Sequence, residues 1–311
     1  MLSFVGIDIY DNEIQLPTPE YVTINQEEDV PADDISVVFP FIADLPELVR
    51  IAVKNNSQVV FMGLVDEQQI IGNENGIWTK IVGRSMAAFL LDNESKPENY
   101  LNPSSSVIAD KHLKPYGMEN FVGEDVVLPG TLNVPKGSTQ WQALYNFCIN
   151  AYGNRPRVEA DGTVKMNGAE SDESIVFSNN GGQKYISIKE NNKRYKLLSS
   201  VKVKIGTDRD YNSIVENKSI VNRKINRVRY LDSTYSSELF LVADKMIEKS
   251  VKDSYEIVLV CPDLLINLIG ANAKIQDNYV GEKDNLYISG ICCKLTPDGE
   301  FTTVTLKKKG E

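Results

Sequence analysis

Val59-Val60-Phe61-Met62-Gly63-Leu64-Val65, a loop at Gly72-Asn73-Glu74-Asn75-Gly76, and then Ile77-Trp78-Thr79-Lys80-Ile81-Val82 form the most informative stretch of the sequence. Both runs are rich in β-branched and aromatic residues, and glycine and asparagine punctuate the loop between them, so the stretch predicts two antiparallel strands. Upstream, Leu48-Val49-Arg50-Ile51-Ala52-Val53-Lys54 leads into Asn55-Asn56, a pair that tolerates positive φ. Alone that run could be a short helix, but Pro46 before it and the turn after it favour a strand that pairs with 59–65. Ile35-Ser36-Val37-Val38-Phe39-Pro40-Phe41 reads as another strand, and Ser85 opens a short apolar helix, Met86 to Leu91.

Past residue 92 the pattern changes. Pro97, Pro103, Pro115, Pro129 and Pro135, with Ser104-Ser105-Ser106, mark 92–137 as loop-rich. A helix is expected over 139–152, because Trp141, Leu144, Tyr145, Cys148 and Tyr152 share one face of a 3.6-residue period. Thr139 and Gln142 have capping-box spacing and Gly153 is placed to stop the helix. Arg157 to Met166 reads as a hairpin on Asp161-Gly162. Strands follow at Tyr185-Ile186-Ser187-Ile188 and Val201-Lys202-Val203-Lys204-Ile205, then a polar excursion over 206–234. A second helix is expected near 237–250, with Leu239, Val242, Ala243 and Met246 on one face. It leads into the strand Tyr255 to Cys261, which Pro262 ends.

The two ends of the chain echo each other. Gly63-Leu64-Val65, a turn at Asn75-Gly76 and Trp78-Thr79-Lys80-Ile81 match Gly290-Ile291-Cys292, a turn at Asp298-Gly299 and Phe301-Thr302-Thr303-Val304. The echo hints at two small β domains on one plan.

Composition excludes several functions. The chain has 311 residues, enough for two or three domains, and a net charge of −10. Without a broad basic stripe it reads as a poor binder of nucleic acid or of anionic membranes. Lys307-Lys308-Lys309 reads as a solvated terminus, and neither a bilayer-spanning stretch nor a secretory leader is expected. Cys148, Cys261, Cys292 and Cys293 lack metal-ligand spacing, and the adjacent pair would face opposite sides of a strand. They read as reduced thiols of a cytoplasmically made protein.

The sequence offers little to catalysis. The single histidine, His112, reads as a surface loop residue. Gly83-Arg84-Ser85 resembles the tail of a phosphate-binding loop but has Trp78 where glycine is needed and Arg84 where lysine is needed. Ser199-Ser200-Val201-Lys202 matches S-x-x-K but leads into a strand. Glu27-Glu28-Asp29 and Asp33-Asp34 lack calcium-loop spacing and read as solvated acids. No catalytic, cofactor or metal residue is assigned, and no enzyme activity is expected.

Four patterns, in order, resemble one family: the baseplate hubs of contractile tails, known as late control gene D proteins, related to the hub half of type VI VgrG spikes. They are Val60-Phe61-Met62-Gly63-Leu64-Val65-Asp66 with Thr79 to Ser85 and Leu91-Asp92; Gly137 to Leu144 with Arg155 to Gly162; the helix near 237–250 with its strand and Pro262; and Gly290-Ile291 with Asp298 to Leu306. The chain departs at Leu268-Ile269-Gly270-Ala271, where many relatives carry a G-D-x-V turn, and it carries no peptidoglycan-binding repeat.

The resemblance implies a mainly β (α+β) fold. A first β-barrel domain is expected at 1–92, an α/β insert at 93–182, and a second β-barrel domain at 183–311 with the excursion at 206–234. It implies a homotrimeric, pseudo-hexameric structural ring without cofactors. The ring would join a hexameric tail tube to a trimeric spike and contact baseplate wedge or tape-measure proteins, in a phage or phage-tail-like particle assembled in the bacterial cytoplasm. The acidity would keep a sliding DNA or tape-measure protein from sticking in the tube. The alternatives are a surface adhesin or carbohydrate-binding β module and, further off, a cell-wall hydrolase.

Overall fold

The structure is a computed structural model that describes residues 2–169, 171–206, 208–220, 224–232 and 239–309. The chain forms two compact units. One takes in Met1–Ser174, Val260–Ala271 and Ile288–Val304, and the other Ile175–Leu259, Asn272–Tyr287 and Thr305–Glu311.

In chain order the first unit contributes β1 (Leu2–Asp8), β2 (Glu13–Gln15), β3 (Tyr21–Glu27), β4 (Asp34–Pro40), β5 (Leu48–Asn55), β6 (Gln58–Asn73), β7 (Gly76–Ser85), α1 (Ala87–Asp92), β8 (Glu98–Leu101), α2 (Ser105–His112), β9 (Phe121–Val122), β10 (Thr131–Val134), α3 (Gln140–Tyr152), β11 (Arg157–Val158) and β12 (Val164–Lys165). Then come β13 (Ser174–Phe177), β14 (Ser187–Asn192), β15 (Ser200–Val203), β16 (Ser213–Glu216), β17 (Val228–Leu231), α4 (Leu239–Lys252), β18 (Tyr255–Cys261), β19 (Asn272–Asp277), β20 (Gly281–Thr296) and β21 (Gly299–Lys308). The protein is mostly β, built on large antiparallel sheets, as the sequence implies.

In the first unit the sheet runs β3-β4-β7-β6-β5-β1-β2, and Gly290 to Leu295 of β20 extends it beyond β3. Alternation sets the register. Ile35, Val37 and Phe39 of β4 are fully buried while the residues between them are half-exposed. Ile24 of β3 and Ile81 of β7 stand in register with Ile35 and Val37, Ile51 and Phe61 are buried in the same unit, and Phe4 stands edge-on to Phe39 at 5.7 Å between ring centroids.

β6 and β7 approach so closely that two positions tolerate no side chain. A Cβ on Gly63 would lie 2.0 Å from the Arg84 carbonyl oxygen, and one on Gly83 would lie 2.3 Å from that of Leu64. A register slip between Val65 and Glu67 lies beside this contact, so the strands bend there.

The insert packs around α3. Thr139 Oγ1 accepts from the Gln142 N–H at 3.1 Å and Gln142 Oε1 from the Thr139 N–H at 2.9 Å, which completes the expected capping box. Gly153 ends the helix at φ 75°. Trp141, Leu144 and Cys148 are buried as the period requires, and Phe147 and Ala143 widen the stripe.

Two expectations fail. The loop-rich 92–137 contains α2, which the serine triplet starts rather than interrupts: Ser104 Oγ accepts from the Val107 N–H. In the excursion over 206–234, the described residues include β16 and β17, which flank β15 antiparallel and parallel in a three-stranded sheet. That sheet lays Val201, Val203 and Leu231 against Leu239, Ala243 and Ile247 of α4. Residues 207, 221–223 and 233–234 lie outside the described residues, as do 237–238 of the second expected helix.

Gly63→Ala and Gly83→Ala should each destabilise the protein by about 3 kcal/mol, because backbone must move to admit a methyl group. Gly72→Ala should be near neutral, since a Cβ there meets only Ile77 Cγ1, at 3.8 Å. Urea denaturation of the three variants compares them directly. Equal effects would mean that the close approach does not constrain the fold.

Candidate functional site

The residues that could carry chemistry are structural in their surroundings. Ser199 Oγ donates to the Arg227 carbonyl at 2.8 Å and accepts from the Arg227 N–H at 3.0 Å, so its hydroxyl is committed to backbone. Arg84 forks between Asp66 and Asp92, with N–O distances of 2.7 to 3.1 Å. Hydrogen bonding to Asp66, then to Asp92, holds the guanidinium further above its ordinary value, and the bond from Arg84 lowers the Asp92 carboxyl. The G-R-S and L-D elements of the sequence pattern therefore form an ion triad, not a phosphate cradle. No group of His, Cys, Asp or Glu among the described residues could hold a metal ion.

His112 is not a surface loop residue. It ends α2 and is only 2% exposed. Its Nδ1 donates to Gln140 Oε1 at 2.6 Å, because the Gln140 amide already donates to Tyr116 Oη and the Glu94 carbonyl. Its Nε2 then accepts from the Tyr100 hydroxyl at 3.1 Å. Burial is the largest influence and pushes the imidazole below its ordinary 6.5; Gln140 and Glu98 oppose it, and Lys111 reinforces it. The group is a neutral polar link inside the insert. The cysteines are equally inert: burial pushes the Cys261 and Cys293 thiols up to about 12. Cys292, beside Cys293, is half-buried, as opposite strand faces require.

Asp33 also departs from expectation. Rather than a solvated acid, it is 4% exposed, with Oδ2 accepting from Arg157 Nη2 at 2.8 Å and Gln26 Nε2 at 3.0 Å. Gln26 continues to Asn267, donating to its Oδ1 and accepting from its N–H, both at 2.8 Å. Ser85 Oγ accepts from the Asp33 N–H at 3.1 Å. This network ties the 26–34 corner, the end of β7, β11 and the 262–271 segment together within the first unit. Burial pushes the Asp33 carboxyl up, opposed by the Arg157 charge. A sequence signal existed: Asp33 is in phase with Ile35, Val37 and Phe39. Nearby, Asp29 of the acidic run pairs with Arg155.

The arrangement most open to function is a duplicated set of strands. β6 and β20 each span 16 residues, and β7 and β21 each span 10. Each pair turns through a glycine at positive φ, Gly76 at 147° and Gly299 at 131°. β4 neighbours β7 as β18 neighbours β21, and β5 pairs with β6 as β19 pairs with β20. One atomic detail repeats. Thr79 is buried, and its Oγ1 accepts from the N–H of Ile42, just past β4, at 3.0 Å. Thr302 is buried, and its Oγ1 accepts from the N–H of Leu265, just past β18, at 3.0 Å. β6 and β7 also outrun their core, leaving Ile70 and Ile77 exposed near the hairpin tip.

Two outcomes follow from the buried groups. Asp33→Asn should cost about 3–5 kcal/mol by leaving Arg157 uncompensated, and the paired change Asp33→Leu with Arg157→Met should recover most of that, as thermal unfolding would show. His112 is favoured neutral in the fold, so its contribution is complete above pH 6.5 and declines as pH falls below that value. The loss is at most about 1.4 kcal/mol per pH unit. His112→Gln should flatten the stability profile between pH 7 and 5; an unchanged slope would refute this assignment.

No known family model matches the sequence, and no curated protein matches it. Solved structures do. The tail protein from Neisseria meningitidis MC58 matches with a TM-score of 0.78 at 18% identity, over 99% of this chain and 96% of that one. The prophage MuSo2 43 kDa tail protein from Shewanella oneidensis gives 0.77 at 13% identity, over 98% and 97%. The E. coli c3393 protein, a type VI secretion component described as structurally similar to the T4 bacteriophage tail proteins gp27 and gp5, gives 0.59 at 10% identity, over 100% and 77%. The chain has the fold of phage tail proteins that extends to this type VI secretion component.

Proposed function

We propose that this chain is a structural baseplate hub, three copies of which close a ring that joins a hexameric tail tube to a trimeric central spike. The observation that carries the reading is the duplicated strand set with its repeated threonine anchor. Two similar modules per chain give six in a trimer, so one face of a threefold ring imitates a sixfold object. We assign the modules to 1–92 and 183–311, each curving into a barrel, and the α/β insert to 93–182.

In this reading the partners are further copies of the chain, a spike protein, a tube protein, and wedge or tape-measure proteins. Function then resides in shape: the buried Asp33–Arg157 pair ties the first module to the insert, and no reacting group is required. A ring also removes the sheet edges that a lone chain would expose. The particle is a phage or a related contractile assembly.

Co-expression of the full chain with the spike and tube proteins encoded beside it, followed by native mass spectrometry, tests the proposal. A complex of three copies on one trimeric spike is expected. A stable one-to-one complex of single chains would overturn it.

A further inference from the structure

The two strand sets correspond residue by residue. Gln58 and Gly281, Asn73 and Thr296, Gly76 and Gly299, and Ser85 and Lys308 all stand 223 residues apart. So do Thr79 and Thr302, and the Ile42 and Leu265 whose N–H groups they receive. Asp44 and Asn267 share that spacing, and both have positive φ, 54° and 60°.

The equivalent strands β6 and β20 meet different neighbours. Gly290 to Leu295 of β20 pairs with β3, and Gly290, Ile291 and Cys293 are buried. The equivalent stretch of β6 is Glu67 to Gly72. It pairs with β7 alone among the described strands, because β5 pairs with β6 no further than Leu64. Glu67, Ile70, Ile71 and Gly72 are exposed. An open strand edge of this kind is a template for another strand.

The chain carries a strand that fits. The sheet runs β14-β18-β21-β20 and then β3-β4-β7-β6, so β14 holds the place in the second set that β3 holds in the first. One contact fixes the equivalence. Asn25 Nδ2 donates to Asp34 Oδ1 between β3 and β4 at 2.8 Å, and Asn191 Nδ2 donates to Glu256 Oε1 between β14 and β18 at 3.0 Å. Asn25 thus corresponds to Asn191, Gln26 to Asn192 and Glu27 to Lys193. The Lys193 N–H donates to the Ser254 carbonyl at 2.7 Å, which continues the register of Asn191 and Glu256. β14 ends the sheet, and its other edge meets no described strand.

We propose that β14 of one copy pairs with the open edge of β6 in the next, repeating between chains the junction that β3 and β20 make within one. The inference rests on the homo-oligomer proposed above and names its contact. A second copy is the occupant because β14 is the strand that the internal junction specifies for this place. Each copy offers one edge of each kind, so addition is head-to-tail.

Two side-chain pairs that took no part in the alignment are complementary in it. The register of Gly290 and Glu27 sets Glu67 opposite Lys193 of the next copy, an acid facing a base. Within one chain, Gln26 accepts from the Asn267 N–H and donates to Asn267 Oδ1, both at 2.8 Å. Their equivalents are Asn192 and Asp44, both exposed. The Asn192 amide can accept from the Asp44 N–H and donate to the Asp44 carboxylate of the neighbouring copy.

Oxidative cross-linking of the full chain, alone and in the complex with spike and tube, provides the test. Facing residues of antiparallel strands have Cα atoms about 4.5–5.5 Å apart, within reach of a disulfide. Glu67→Cys and Lys193→Cys are made in separate chains, and so are Asp44→Cys and Asn192→Cys. Covalent dimers are expected when the two members of a pair are mixed and not from either member alone. With both changes in one chain, E67C/K193C should give a ladder that ends at three copies. If native mass spectrometry shows three copies in the complex yet neither mixed pair cross-links, this inference falls while the oligomer stands. If the original chain stays single both alone and in the complex, the oligomer falls and the inference with it. Equal dimers from an unmixed variant would indicate a twofold contact and overturn the pairing. A disulfide formed within one chain by E67C/K193C, with no dimer from the mixture, would overturn it as well.

Discussion

Much of the first unit follows from the close approach of β6 and β7 at Gly63 and Gly83. With carbonyl oxygens standing where Cβ atoms would be, the two strands bend together. The bend sets the end of β7, and with it three consecutive residues. Gly83 makes the approach, Arg84 spans Asp66 and Asp92, and Ser85 accepts from Asp33 while α1 begins two residues on. The ion triad secures the return of the chain on the exposed side, and the buried network secures it on the inner side. Exposed pairs of this sort contribute about 1 kcal/mol or less, so the triad fixes geometry more than it supplies stability. The buried pair works differently, since breaking it strands a charge in the interior.

Legibility in the sequence followed the strength of periodic signals. The hairpin over 59–82, the capped helix over 139–152 and the terminal echo were readable because each runs long enough for alternation or a 3.6-residue period to repeat. The three-stranded sheet was not readable. Its strands are four residues long, and β17 pairs parallel to β15, so no tight turn announces the pairing. α2 was hidden because serine serves loops and helix caps alike, and only the N–H it accepts distinguishes the roles. His112 and Asp33 read as solvated because their residue type and flanking polarity point outward, whereas the phase of the neighbouring element decides burial.

The duplicated strand set explains how sequence divergence and fold retention coexist here. The tail proteins with the same architecture share only 13–18% of residues with this chain over nearly its whole length. What must persist is a pattern: alternation in the long strands, a glycine at the turn, and a buried hydroxyl that receives the chain as it leaves the preceding strand. Many sequences satisfy such requirements. Within the chain the two strand sets differ in sequence, yet Thr79 and Thr302 each accept from a backbone N–H just past the neighbouring strand. A backbone N–H buried beyond a strand end must find an acceptor, and a threonine on the neighbouring strand supplies one without a charge.

The same reasoning bears on how a ring of such chains would hold together. Exposed apolar residues at the tip of the long hairpin supply contact area but little direction, because hydrophobic contact is insensitive to angle. On the proposed reading, a chain with two similar modules could pair like with like and form a closed dimer. On that reading, contacts that are not self-complementary leave head-to-tail addition as the favoured geometry. Closure at three rather than continuation into a filament then depends on the angle between successive copies, which the rigidity of the modules would fix.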